Sequence, residues 1–161
     1  MTTRGIRNHN PTNIERNATR WQGMAHDQSG DPRFVVFTAP EWGIRAIARL
    51  LLTYQDKHHL DTLEKIINRW APPSENVTSA YVKAVAAALK VPATAPVNVH
   101  VPETMRALVK AIIKHENGVQ PYPDAVIDEG LRIAGIEGVA AVPAPPEIWW
   151  TRFIRSFVRT P

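Results

Sequence analysis

The stretch Pro102-Glu-Thr-Met-Arg-Ala-Leu-Val-Lys-Ala-Ile-Ile-Lys-His-Glu-Asn-Gly118 decides the fold class of this chain. Met105, Leu108, Val109, Ile112 and Ile113 recur at intervals of three and four residues, which puts them on one face of an amphipathic helix. Pro102 suits the first turn, where a backbone N–H would have no helical partner. Asn117-Gly118 supplies a left-handed stop at the other end.

Upstream, Thr38 and Glu41 have the spacing of a capping box, with Pro40 in the first turn. Ile44, Ile47, Ala48 and Leu51 then carry a helix to about Gln55, and Lys57-His-His-Leu60 is a connection. Asp61 and Glu64 repeat the cap spacing before a short helix with Leu63, Ile66, Ile67 and Trp70 inward, which Pro72-Pro73 stops. Asn76 to Leu89 is expected to be helical, with Val82, Val85, Ala86 and Leu89 on one face; residues 91–101 connect it to the Pro102 helix. A last core helix runs from about Asp124 to Ala134 and closes at Gly135. The polar opening through Gly30 reads as turns, and Arg33-Phe-Val-Val-Phe-Thr38 is a strand candidate that Ala18–Gln22 would pair with as a hairpin. The expected fold is mainly α (α+β), with one small hairpin. Residues 1–135 form the domain, 136–146 a Pro/Ala-rich linker, and 147–161 an amphipathic cationic tail helix.

With 161 residues, 44% hydrophobic and 21% charged, the chain can bury one domain's core. It has no cysteine, which excludes a disulfide scaffold, a thiolate metal site and a cysteine nucleophile. No run approaches the roughly 18 apolar residues of a membrane span, and no signal peptide opens the sequence, so synthesis in the cytoplasm is expected. A net charge of +4 and a pI near 9.7 suit an anionic partner. Nucleic acid is not expected, because no recognition helix, RNP motif or basic helix stands out. The six histidines lack HExxH-type spacing, and neither metal nor cofactor is expected.

Glu116 carries the strongest chemical signal. The apolar stripe continues to it by three- and four-residue steps, so partial desolvation is expected to raise its pKa, and the helix's negative end adds to the effect. Both favour a carboxylic acid that can protonate a glycosidic oxygen. The alternative is an ion-paired glutamate at the edge of the core, with Lys114 or an arginine. Asn117, Gln120 and Tyr122 supply hydrogen bonders and an aromatic face, as a sugar site requires.

Arg4-Gly-Ile-Arg-Asn-His-Asn-Pro-Thr-Asn-Ile14 resembles the RGIRNNNPGNI opening of a group of small phage and prophage proteins. The similarity runs through Trp21-Gln-Gly23, Phe34–Phe37, Pro40–Arg45, Arg69-Trp-Ala-Pro-Pro-Ser-Glu-Asn76 and His115-Glu-Asn-Gly118, covering about residues 4–135. Thr12 stands where glycine is usual, and Glu15 where arginine is frequent. The order of parts also resembles bacterial glucosaminidases of the lysozyme superfamily, with Asn10–Ile14, Trp21, Phe34–Phe37 and Trp70 to Lys83 matching in turn. Those enzymes carry their catalytic glutamate upstream, whereas the matching piece here is Ala111–Gly118. The resemblance therefore implies a circularly permuted lysozyme-like domain that cleaves peptidoglycan glycan strands as a muramidase or lytic transglycosylase, with Glu116 as acid.

An inverting hydrolase would need a second carboxylate, whereas a lytic transglycosylase can use the substrate's own groups. Asp27 and Asp31 are candidates, although Asp31 before Pro32 serves equally as a turn residue. Glu75 competes, with helix capping as its alternative. Tyr81 resembles the cleft tyrosine of the glucosaminidase segment, and Trp21 and Trp70 serve either as sugar platforms or as core. Asn10 and Asn13 would bind substrate or stabilise turns. The alternative to an enzyme is a noncatalytic phage structural or glycan-binding protein. Action is expected at the periplasmic wall after holin release, or from the virion, where other virion components would be partners.

On a helical wheel of the tail, Trp149, Trp150, Phe153, Ile154, Phe157 and Val158 share one half, while Arg152, Arg155 and Arg159 share the other. At about 20 Å such a helix is too short to span a bilayer, but it can lie in an anionic interface through residues 147–159. Packing onto the domain or a second subunit is the alternative. Truncation after Pro143 is expected to leave a folded chain that binds anionic vesicles less well in a sedimentation assay; unfolding would assign the tail to the core.

Overall fold

A computed structural model describes residues 2–71 and 78–139. Six helices follow in order among them: α1 (Arg4–Arg7), α2 (Pro40–His58), α3 (Leu63–Trp70), α4 (Thr78–Leu89), α5 (Pro102–Asn117) and α6 (Asp124–Ile133). The chain is mainly α, as its periodicity implies. The expected start of α4 at Asn76, the Pro72-Pro73 stop, the rest of the linker and the tail lie outside the described residues.

Helix α5 packs against α4, α6 and α2, while α2 and α6 pack extensively on each other. Met105, Leu108, Val109, Ile112 and Ile113 are fully buried, and each such side chain contributes about 1.5–3 kcal/mol of hydrophobic stabilisation. Around them lie Ile44, Ile47 and Leu51 of α2, Leu63, Ile66 and Ile67 of α3, Tyr81, Val82 and Val85 of α4, and Ile127 and Leu131 of α6. Gly118, at φ 73°, ends α5 in the left-handed conformation that its sequence predicts. Ile136 is buried and Val139 packs against the core, so the packed body reaches beyond Gly135.

Two of the expected caps form differently. Ala39 is the N-cap of α2 and makes no side-chain bond, while the Thr38 hydroxyl donates to the Gly23 carbonyl. At α3 the cap is Thr62, one residue later than expected, and Asp61 instead pairs with Lys65 one turn on. Helix α2 also runs on to His58 and turns at His59, which has φ 54°. The short α1, read from sequence as turns, is opened by Thr3.

The expected hairpin is not formed. Residues 33–38 lie extended, but among the described residues they make only isolated antiparallel bridges, Glu15 with Phe34 and Met24 with Phe37. Ala18–Gln22 is not their partner. Main-chain bonds to residues 8, 14, 16, 23 and 25 serve part of this segment, and side-chain amides supplement them. Asn10 Nδ2 donates to the Val35 and Ile14 carbonyls, and its Oδ1 accepts from Ile14 N. Gln28 bonds both the N–H and the carbonyl of Val36. Gln55 does the same for the later connector, bonding Val97 O at 2.7 Å and Val99 N at 2.8 Å. A small second core of Val35, Phe37 and Ala46, with Ile14, Trp21, Met24 and Trp42 packed on it, fixes the extended segment to α2.

The opening segment meets α2 where Gly43 leaves no room for a side chain. A Cβ there would lie 2.0 Å from the His9 carbonyl oxygen and 3.0 Å from its carbon. Gly43→Ala is therefore expected to cost about 1–3 kcal/mol in chemical denaturation. Gly30→Ala, whose Cβ would meet nothing nearer than 3.8 Å, should change stability by less than about 0.5 kcal/mol.

Candidate active site around Glu116

Glu116 sits in the last turn of α5, and two side chains from other helices reach it. Tyr81 of α4 donates its hydroxyl to Oε1 at 3.2 Å, and Trp70 at the end of α3 points its indole N–H at the same oxygen at 3.4 Å. The carboxylate is exposed, contrary to the expectation that the buried stripe would extend to it. The apolar layer that covers Met105 to Ile113 ends one turn earlier, leaving Lys114, His115 and Glu116 at the surface. Tyr81 itself is buried, and burial, reinforced by the charge and the hydrogen bond of Glu116, pushes its hydroxyl pKa far up. Its phenol therefore remains a donor at any working pH.

Aromatic rings extend the site on both sides. The His115 imidazole lies flat on the Tyr81 ring, with centroids 3.6 Å apart and planes at 11°. Tyr54 of α2 meets Trp70 edge to face at 6.3 Å, and the Arg69 guanidinium stands 6.0 Å from the centre of the Tyr54 ring. A groove of about 370 Å³ opens between α4 and α5 beside His115, lined also by Ala84, Ala88, Ala111, Lys114 and Gly118. Tyr54 carries no sequence signal beyond its place on α2. His115 belongs to the same motif as Glu116, but nothing in the sequence signals its stacking on Tyr81.

Of the substrate-binding candidates, Trp70 and Tyr81 are brought to Glu116, whereas others are absorbed by the fold. Asn10 is fully buried, and its side chain is committed to backbone partners. The Asn117 amide donates to Pro11 O at 2.7 Å and Ile113 O at 2.9 Å and accepts the Thr3 hydroxyl at 2.6 Å. Gln120 closes a local loop by bonding both backbone groups of Tyr122. Trp21 packs in the small second core. Tyr122 packs on the main core, where burial, with a further push from Glu41, raises its hydroxyl pKa to about 12.

Asn13 adopts a left-handed conformation at φ 52°. Its Oδ1 and the hydroxyl of the preceding Thr12 are both buried, and neither has a hydrogen-bond partner among the described residues. Also among the described residues, no three His, Asp or Glu side chains converge to hold a metal ion. Glu75 lies outside them.

Asp31 is a structural carboxylate rather than a cleft base. It is buried, and it accepts from the backbone N–H groups of Arg33 and Phe34 at 2.9 Å and from Asn8 Nδ2 at 2.8 Å. Arg4 Nε stands 3.7 Å away. The N–H donors of Phe34 and Arg33, then Asn8, hold its pKa at about 2. Asp27 is exposed and bonded to Ser29 within its own turn. Because the folded value for Asp31 lies below the ordinary 3.8, its contribution to stability is complete above that pH and is lost as pH falls through about 2. The Asp31 carboxyl carbon is expected to titrate near pH 2 by NMR, and Asp31→Asn should flatten the loss of stability between pH 4 and 2. A midpoint near 3.8 would contradict this environment.

No family model matches the chain. It is similar to Protein P5 of Pseudoalteromonas phage PM2, with 42% identity over 131 residues that span 80% of this chain and 79% of that protein. Among the described residues, no helix is long and apolar enough to cross a membrane. At that identity and coverage, the chain belongs to the phage protein family that includes Protein P5.

Proposed function

We propose that this phage-family protein cleaves the glycan strands of peptidoglycan, with Glu116 as general acid. The observation that carries the reading is the convergence of Tyr81 and Trp70 on one oxygen of Glu116. These two donors orient the carboxyl group, whose acid form can pass a proton to a glycosidic oxygen. The aromatic and polar surroundings and the basic charge of the chain suit a carbohydrate polymer that bears carboxylates. The resemblance of the opening and of His115–Gly118 to phage proteins and lysozyme-like enzymes points the same way.

With Asp31 committed to the fold, the reading relies on a single acid and favours the lytic transglycosylase route. Glu116 protonates the bridging oxygen, the bond from the anomeric carbon to that oxygen breaks, and the substrate's acetamido group stabilises the positive centre. The sugar's own 6-hydroxyl then attacks the anomeric carbon and returns its proton to Glu116. The product is a 1,6-anhydro end and no water is consumed. The protein acts at the periplasmic wall, delivered with the virion or released at lysis.

Purified chain incubated with peptidoglycan should release anhydro-ended muropeptides, identifiable by mass spectrometry. Glu116→Gln, nearly isosteric, should keep the fold and lower turnover by about 10²–10⁴-fold. Near wild-type turnover in that variant would transfer the role to Glu75. A wild-type chain that binds walls but releases nothing would be a noncatalytic structural or glycan-binding phage protein.

A further inference from the structure

We propose that His115 is a positioning residue for Glu116, acting through the face of Tyr81; this rests on the reading of Glu116 as the acid. Adjacent residues on a helix point about 100° apart, and α5 uses that angle to hold Tyr81 at two points. Glu116 takes the hydroxyl at 3.2 Å, while the imidazole of His115 lies parallel to the ring at 3.6 Å. Tyr81 is 3% exposed although His115 is itself exposed. The imidazole therefore stands between solvent and that face of the phenol.

The arrangement has a consequence for the acid. The direction of the Tyr81 O–H is set by the tilt of its ring, and on this side a flat partner limits that tilt. His115 also covers the ring face of the phenol whose hydroxyl makes the bond to Glu116. The alanines that line the adjoining groove are too short to replace it: Ala84 and Ala88 on α4 and Ala111 on α5 leave open space beside the imidazole. A flat ring at residue 115 is the required feature, and an aliphatic side chain would not supply it.

The test uses the full chain on peptidoglycan, with His115→Ala, His115→Phe, Tyr81→Phe and Glu116→Gln compared by kcat and KM. His115→Ala is expected to lower kcat several-fold and leave KM unchanged, because the imidazole acts on the acid rather than on the bound glycan. His115→Phe should restore most of the loss, and His115→Ala should add little in a Tyr81→Phe background. In the wild-type protein, the His115 ring protons should be shifted upfield in NMR spectra by the Tyr81 ring current. Wild-type kcat in His115→Ala, with Glu116→Gln inactive, would overturn this role and leave the acid standing. A His115→Phe variant as slow as His115→Ala, or unshifted imidazole protons, would also overturn it. Wild-type turnover in Glu116→Gln would overturn the assignment of the acid and the role of His115 together.

Discussion

The Asn117 side chain ties together parts of the chain more than a hundred residues apart, and the candidate site depends on that tie. Its amide holds Pro11 and its own helix, while its oxygen accepts the Thr3 hydroxyl. These bonds fix the opening segment against the end of α5, one residue from Glu116. Gly5 and Gly43 make the approach possible, since a Cβ at either would press on backbone atoms of residues 9–11. The Asn117 amide is half-buried with both of its N–H donors engaged, so removing it would leave the Pro11 and Ile113 carbonyls with a poorer partner.

The same device recurs in the small β-like element and in the connector before α5. Asn10, Gln28 and Gln55 each bond backbone groups of an extended segment. Amide side chains carry both a donor and an acceptor, so a single residue can satisfy both the N–H and the carbonyl of an extended segment. This lets residues 33–38 lie extended under α2 without a ladder. It also spends several polar residues on the fold that would otherwise pass for ligand-binding groups.

Carboxylates divide along the same line. Asp31 is buried, held by backbone donors and kept ionised. Glu116 is exposed and receives donors from two aromatic side chains on different helices. The first environment suits a fixed charge that organises a turn. The second suits a group that meets a ligand at the surface while its neighbours control its geometry. On α2, Arg45 and Arg49 make a further division of labour, donating to the carbonyls of Ile133 and Ala134 at the end of α6, where cations oppose the helix dipole favourably.

By itself, the sequence determined the presence of α2 to α6 and the buried stripe of α5, because period and stop signals are local properties. Met105 to Ile113 and the Gly118 cap needed nothing beyond their own spacing. The motifs around Glu116, Trp70 and Tyr81 single out these three side chains, and their meeting comes from the packing of α3, α4 and α5. Only the tertiary structure decided which polar side chains stay at the surface and which hold the chain together. Asn10 and Asn117 look the same in sequence as any sugar-binding amide, and their roles follow from partners in the 3–14 and 35–37 segments or at the end of α5. The burial of Asp31, the exposure of Glu116 and the stacking of His115 on Tyr81 have the same origin. Each depends on where separate helices end relative to one another, a long-range packing outcome that no local spacing encodes.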